Sequence, residues 1–136
     1  MKRIMLLSRL LRLQCINNLL LMEAQRDLHR SNDKRKWGQF QNDFEHRERI
    51  HRELQKIILE LETKMWLSER LAAHSLLPLL KAEKFVYKKF IFPEDFALER
   101  KNISLYYNLL YKHKLPLSLT KKLLEQKKIL EYQLPE

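Results

Sequence analysis

Residues 34–75 read KRKWGQFQNDFEHRERIHRELQKIILELETKMWLSERLAAHS. Trp37, Phe40, Phe44, Leu54, Ile58, Leu61, Met65 and Ala72 recur there at helical three- and four-residue spacing. Arg47 and His51 interrupt the stripe, and Ile50 and Ile57 lie beside it. No proline breaks the stretch, and Ser31, Asn32 and Asp33 are three good cap residues in front of it. The pattern predicts one amphipathic helix from about Lys34 to Ser75, within a segment 31–77. A helix of about 40 residues is about 60 Å long at 1.5 Å per residue. That exceeds the diameter of so small a domain, so the apolar stripe is expected to bury itself on something outside the chain, as in a subunit of a larger assembly.

Ahead of it, residues 1–30 read as a Leu-rich basic helix. Leu6, Leu10, Leu13 and Leu20 share one stripe that Asn17 interrupts, and Leu7 and Leu11 widen it. Arg interspersed without acids up to Met22 resembles a mitochondrial targeting sequence. Three readings follow: an import signal retained in the mature fold, an ordinary amphipathic helix packed on a partner, or a membrane-surface anchor. No apolar run reaches the roughly 20 residues of a spanning helix, because Ser8, Arg9, Arg12, Gln14, Asn17 and Asn18 break the greasiest region, so no transmembrane segment is expected.

Behind it, residues 78–136 form a basic helical region. KFVYKKFIF, 84–92, is aromatic and β-branched enough to be the one candidate strand. Pro93 is expected to open a helix with Glu94 and Asp95 in its first turn, running to about Lys114. Pro116 stops it, and Ser118 or Thr120 is expected to cap a last helix reaching about Tyr132. The fold class expected is all-α or nearly so: an extended multi-helix chain with one long central helix, at most one short strand and little independent globular core.

The chain holds 27 Lys and Arg against 17 acids, for a formal charge of +10 over 136 residues. From Met1 to Met22 there are four bases and no acid. Residues 23–73 nearly balance, and residues 74–136 carry twelve bases against seven acids. The excess sits at the two ends, which points to a polyanionic partner: RNA, an acidic lipid surface or an acidic protein. One glycine, Gly38, cannot build a phosphate-cradling loop or a nucleophile elbow. One cysteine, Cys15, leaves neither an internal disulfide nor a cysteine-based zinc site. The five histidines are scattered, and His46 and His51, five apart, do not share a helix face. No catalytic residue, cofactor or metal is expected.

Three basic clusters remain. Lys34, Arg35 and Lys36 stand at a helix start, where the dipole disfavours cations unless an anion is present; the alternative is a solvated run. Arg47, Arg49 and Arg52 occupy the gap in the apolar stripe, for phosphate or for the acids Asp43, Glu45, Glu48 and Glu53. Lys84, Lys88 and Lys89 alternate with Phe85, Tyr87 and Phe90, which suits stacked bases or a core strand with lysines outward.

Asp33-Lys34-Arg35-Lys36, then Glu45, Arg47 and Arg49 before Ile50, then Leu77-Pro78, Phe96-Ala97-Leu98-Glu99-Arg100, and Leu115-Pro116 with Lys121-Lys122 follow one another in this order. The series resembles the small-subunit ribosomal proteins numbered fourteen in the universal scheme, their mitochondrial members above all, over roughly Asp33 to Lys122. The departures are a missing R-N-R-C stretch, of which only Tyr87-Lys88-Lys89-Phe90 is reminiscent, a missing T-G-R turn and closing tryptophan, and Glu99 where the family has serine. The resemblance implies a non-catalytic component of a mitochondrial ribosome in the matrix, touching rRNA and several neighbouring proteins and no small-molecule substrate. Lys34, Arg35, Lys36, Arg47, Lys88, Lys89, Arg100, Lys121 and Lys122 are the expected RNA contacts, holding phosphates without reading sequence. Two other functions fit the same residues. One is a helical accessory subunit of an inner-membrane respiratory or ATP-synthase complex, and the other is a coiled-coil adaptor or assembly factor binding through the Trp37–Ala72 stripe.

Overall fold

The computed structural model describes residues 3–30, 34–75, 77–90 and 96–134, with the backbone alone for residues 84 and 87–90. Among them all regular structure is helical: α1 (Arg3–Arg30), α2 (Lys34–Thr63), α3 (Leu67–His74), α4 (Leu77–Phe90), α5 (Ala97–Lys112) and α6 (Leu117–Gln133). The chain is all-α.

The organising element is α1. Its leucines come so densely that the apolar surface covers more than one stripe. Leu7, Leu10, Leu13, Leu19 and Leu20 are fully or almost fully buried, each worth about 1.5–3 kcal/mol of removal from water. Helix α2 turns back after three residues and packs along α1 through Ile50, Leu54, Ile57 and Ile58, the most extensive contact in the molecule. Helix α5 runs antiparallel to α1, with Leu98 in the cluster formed by Ile16, Leu19 and Leu20. Helix α6 returns along α5 and reaches α2, so α1, α2, α6 and α5 close a four-helix ring. Helices α3 and α4 lie against α1 as well. An ion pair from Arg12 Nη2 to Glu83 Oε1, 3.0 Å, ties α4 to it.

A chain of hydrogen bonds crosses the ring. Asn102 Nδ2 donates to Asn17 Oδ1 at 2.7 Å, and Asn17 Nδ2 donates to Tyr106 OH at 3.1 Å. Tyr106 OH donates to Gln126 Oε1 at 2.6 Å, and Gln126 Nε2 donates to Glu53 Oε1 at 2.9 Å. Asn17, Asn102, Tyr106 and Gln126 are all buried, so each bond replaces water that is no longer available. The five residues come from α1, α5, α6 and α2, and their pairing defines how the four helices sit in register. Asn17, the interruption of the α1 leucine stripe, is the hub.

Four expectations are corrected. The helix predicted to run to Ser75 breaks at Lys64–Trp66. Lys64 N–H and Met65 N–H close the end of α2 on the carbonyls of Leu61 and Glu62 at 3.1 Å, and Arg3 Nη1 donates to the Lys64 carbonyl at 2.6 Å. Glu69 Oε1 then accepts the Trp66 N–H at 3.0 Å and starts α3. The middle of the stripe is covered within the chain, where Leu54, Ile58 and Met65 join the core with the leucines of α1, while Trp37 and Ala72 at its two ends are exposed, and the core is substantial rather than slight. The strand predicted over 84–92 is helix over 84–90, the end of α4, while residues 91 and 92 lie outside the described residues, as do Pro93, Glu94 and Asp95. A lone strand leaves its backbone groups without a ladder partner, whereas a helix satisfies them internally. The caps expected at Ser118 or Thr120 fall inside α6, which begins at Leu117 behind Pro116.

Candidate nucleic-acid interface

The turn between α1 and α2 collects cations. Lys34, Arg35 and Lys36 are exposed in the first turn of α2, and Arg26, His29 and Arg30 are exposed in the last turns of α1. Arg30 and Lys34 are four residues apart, hence at most about 14 Å. The dipoles act oppositely on the two sets. Basic residues suit the C-terminal end of α1, but the first turn of α2 carries three cations and no acid, which costs a few tenths of a kcal/mol to about 1 kcal/mol each unless an anion sits there. Trp37, 48 % exposed, follows immediately. Sequence reasoning picked out Lys34–Lys36 but not Arg26 and Arg30. The signal was there: two helices joined by three residues bring the end of the first beside the start of the second.

Arg47 is elsewhere. It is 8 % exposed, and its Nε donates to both Asp43 carboxylate oxygens, at 3.2 and 3.3 Å. It is committed inside the fold and does not face outward as an RNA contact would. Around it stand Glu23 and Asp27 from α1 and Glu99 from α5. Burial raises the Glu23 carboxyl above its ordinary range, and the charges of Glu99 and Asp27 raise it further. Burial raises Glu99 too, against the pull of its own backbone N–H and of Arg47. Burial raises Asp27, with Asp43 adding to the effect. Arg47 Nη1 is buried with no hydrogen-bond partner among the described residues. Four carboxylates thus gather round this guanidinium, with Arg26 and Arg30 drawing on Glu23 and Asp27 from the exposed side.

Of the other expected contacts, Arg100 is exposed at the start of α5, on the side of the α1–α2 turn, where its neighbour Leu98 packs on Leu19 and Leu20, whereas Lys121 and Lys122 are exposed on α6, near the opposite end of the bundle. Lys88 and Lys89 fall on α4, but their side chains lie outside those described. Arg52, named beside Arg47, pairs with Glu48 one turn back. From Arg100 to Leu124 there are six Lys and Arg and no acid at all. A separate apolar surface is left by Trp66, 79 % exposed, with Leu67, Leu71 and Leu79.

Helix α1 is long and apolar enough to cross a membrane by length and composition alone, with half of that window buried among the other helices. Among the described residues no three His, Cys, Asp or Glu side chains stand together as metal ligands. An open cleft of about 280 Å³ between α2 and α6 is lined by Asn42, His46, Lys128, Ile129, Tyr132 and Gln133. No protein-family model, no curated protein and no solved structure matches the chain, so its reading rests on its own residues.

Proposed function

We propose that this protein is a non-catalytic structural component of a ribonucleoprotein particle, gripping RNA phosphates through the α1–α2 turn. The resemblance of Asp33–Lys36, Leu77-Pro78 and Phe96–Arg100 names that particle as the small subunit of a mitochondrial ribosome. The supporting observation is the meeting of Arg26, Arg30, Lys34, Arg35 and Lys36 at one turn, three of them where a helix start favours an anion. Arg100 adds to the grip on the same half of the bundle, Lys121 and Lys122 extend it to the other end, and Arg47 is withdrawn from the set. Trp66, Leu67, Leu71 and Leu79 would face neighbouring protein subunits. Contacts of this kind position a protein on RNA without reading bases, and affinity falls steeply with salt. RNase treatment of the native particle is expected to release the protein; its retention in an RNA-free complex overturns the reading.

The second reading is a helical accessory subunit of an inner-membrane respiratory or ATP-synthase complex, its cations set on anionic headgroups. The length and apolar composition of α1 favour it. Co-purification with a detergent-solubilised complex after RNase would select it over the first.

A further inference from the structure

The exposed positions of α5 are Arg100, Ser104, Tyr107, Tyr111 and Lys112. At 100° per residue the first four fall within about 60° of arc, so they form one stripe along the helix. Tyr107 and Tyr111 are 51 % and 60 % exposed. Their ring centroids are 4.7 Å apart, tilted at 45°. The aliphatic side chains of the helix are turned away from this stripe: Leu98 and Leu109 are buried, and Ile103, Leu105 and Leu110 are partly so. The outward face therefore has aromatic rings, a hydroxyl and one cation, Arg100, but no aliphatic residue and no carboxylate.

That composition separates it from the exposed apolar surface on α3 and α4. The α3–α4 surface sets a single indole, Trp66, among the aliphatic Leu67, Leu71 and Leu79, a mixture that suits a protein partner's core and offers no pair of neighbouring rings. The α5 stripe offers two π faces with positive charge at each end: Arg100 at the start, and Lys114 just past the helix beyond Tyr111, while Lys112 is turned about 100° away round the helix. Bases stack on aromatic rings whatever their identity, and cations flanking the rings neutralise the adjoining phosphates.

We propose that this face of α5 is a stacking platform for single-stranded nucleic acid. Tyr107 and Tyr111 take two neighbouring bases, Arg100 holds a phosphate on one side, and Lys114 holds one on the other. The platform rests on the reading of the protein as an RNA binder and adds to it a preference for unpaired strand. The α1–α2 turn, which has cations and one half-exposed ring, grips backbone of either kind; α5 requires bases that are free to leave their partners.

The test is fluorescence anisotropy of the full chain with labelled single-stranded RNA and with a labelled RNA duplex of equal length, at one fixed salt concentration. Tyr107→Ala and Tyr111→Ala are each expected to weaken single-strand binding about 10-fold while leaving duplex binding within about 2-fold. Tyr107→Phe and Tyr111→Phe keep the ring and are expected to bind as the wild type does. Both tyrosines are exposed, so circular dichroism should show the Ala variants folded. If the Ala variants bind single strand as well as wild type, or lose duplex binding equally, the platform is wrong and RNA binding through the α1–α2 turn stands. If the wild-type chain binds neither RNA, the platform and the RNA reading fall together.

Discussion

Asn17 and Arg47 do the same thing to the sequence and opposite things to the structure. Each is the polar residue that interrupts an apolar stripe, one on α1 and one on α2, and each is buried, at 3 % and 8 % exposure. Asn17 is neutral and spends both ends of its amide, one on Asn102 and one on Tyr106. The chain it anchors runs to Glu53 and leaves only Asn102 Oδ1 without a partner among the described residues. Arg47 is charged and outnumbered, with Asp43 in hydrogen-bonding contact and Glu23, Asp27 and Glu99 gathered round it. A buried polar group that completes its bonds specifies a packing; one that collects surplus charge holds helices together at a cost that varies with protonation.

The sharpest way to break this comparison is to remove the cation. Arg47→Met leaves Asp43 and Glu99 without their cation, and Glu23 and Asp27 with only Arg26 and Arg30 to oppose them, and should destabilise the protein by about 3 kcal/mol at pH 7, with the loss shrinking as the pH falls. The sign follows from the raised pKa values. With the folded-state values of Glu23, Asp27 and Glu99 above the ordinary 4.5, 3.8 and 4.5, the folded protein takes up protons before the unfolded one. Stability from these groups is fully present below the ordinary values and is lost as the pH rises through the raised ones. Urea melts of wild type and variant at pH 7 and near pH 4.5 give the comparison, and an equal deficit at both would refute it.

Tyr106→Phe comes next. It deletes one hydroxyl and strands the Asn17 donor and the Gln126 acceptor in the core, for about 2 kcal/mol and about 6 °C in Tm. Because the chain is neutral where it is cut, the deficit should be the same from pH 5 to pH 8. A deficit that tracks pH would tie this chain electrostatically to the Arg47 cluster and dissolve the distinction.

The smallest effect has the opposite sign. Glu99→Gln removes one of the surplus carboxylates and should stabilise the protein at pH 7 by about 0.5–1 kcal/mol, reduced by the partial solvent exposure of the site. The gain should vanish below about pH 4.5, where the native residue is itself protonated. Thermal melts across that range suffice, and a destabilised variant at neutral pH would mean that Glu99 is needed as an anion by Arg47.

The helical class was legible because 3–4 spacing recurs in every long segment and one glycine leaves little room for anything else. The break at Lys64–Trp66 was not. No Gly or Pro marks it, and the group that helps to end α2 there is Arg3, 61 residues earlier in the chain. The false strand at 84–90 came from local composition, which helix packing overrode. At the site, Lys34–Lys36 could be named because charge at a helix start is a local property. The burial of Arg47 could not, since two of the carboxylates around it stand on α1 and one on α5, 20 to 52 positions away. The interruptions at Asn17 and Arg47 were the visible trace of both buried clusters, and what decides between them lies on other helices.

The place of α1 at the centre of the ring has a consequence for how the protein is made. Helix α1 is translated well before its last partners: Asn17 reaches Tyr106 across 89 positions. At about 5–20 residues per second that interval is roughly 4 to 18 s. During it the α1–α2 hairpin, which is local, can close, but the side of α1 that belongs to α5 stays bare and greasy. A chaperone or a membrane that seizes that side competes directly with completion of the fold, so newly made chains are most vulnerable before α5 arrives.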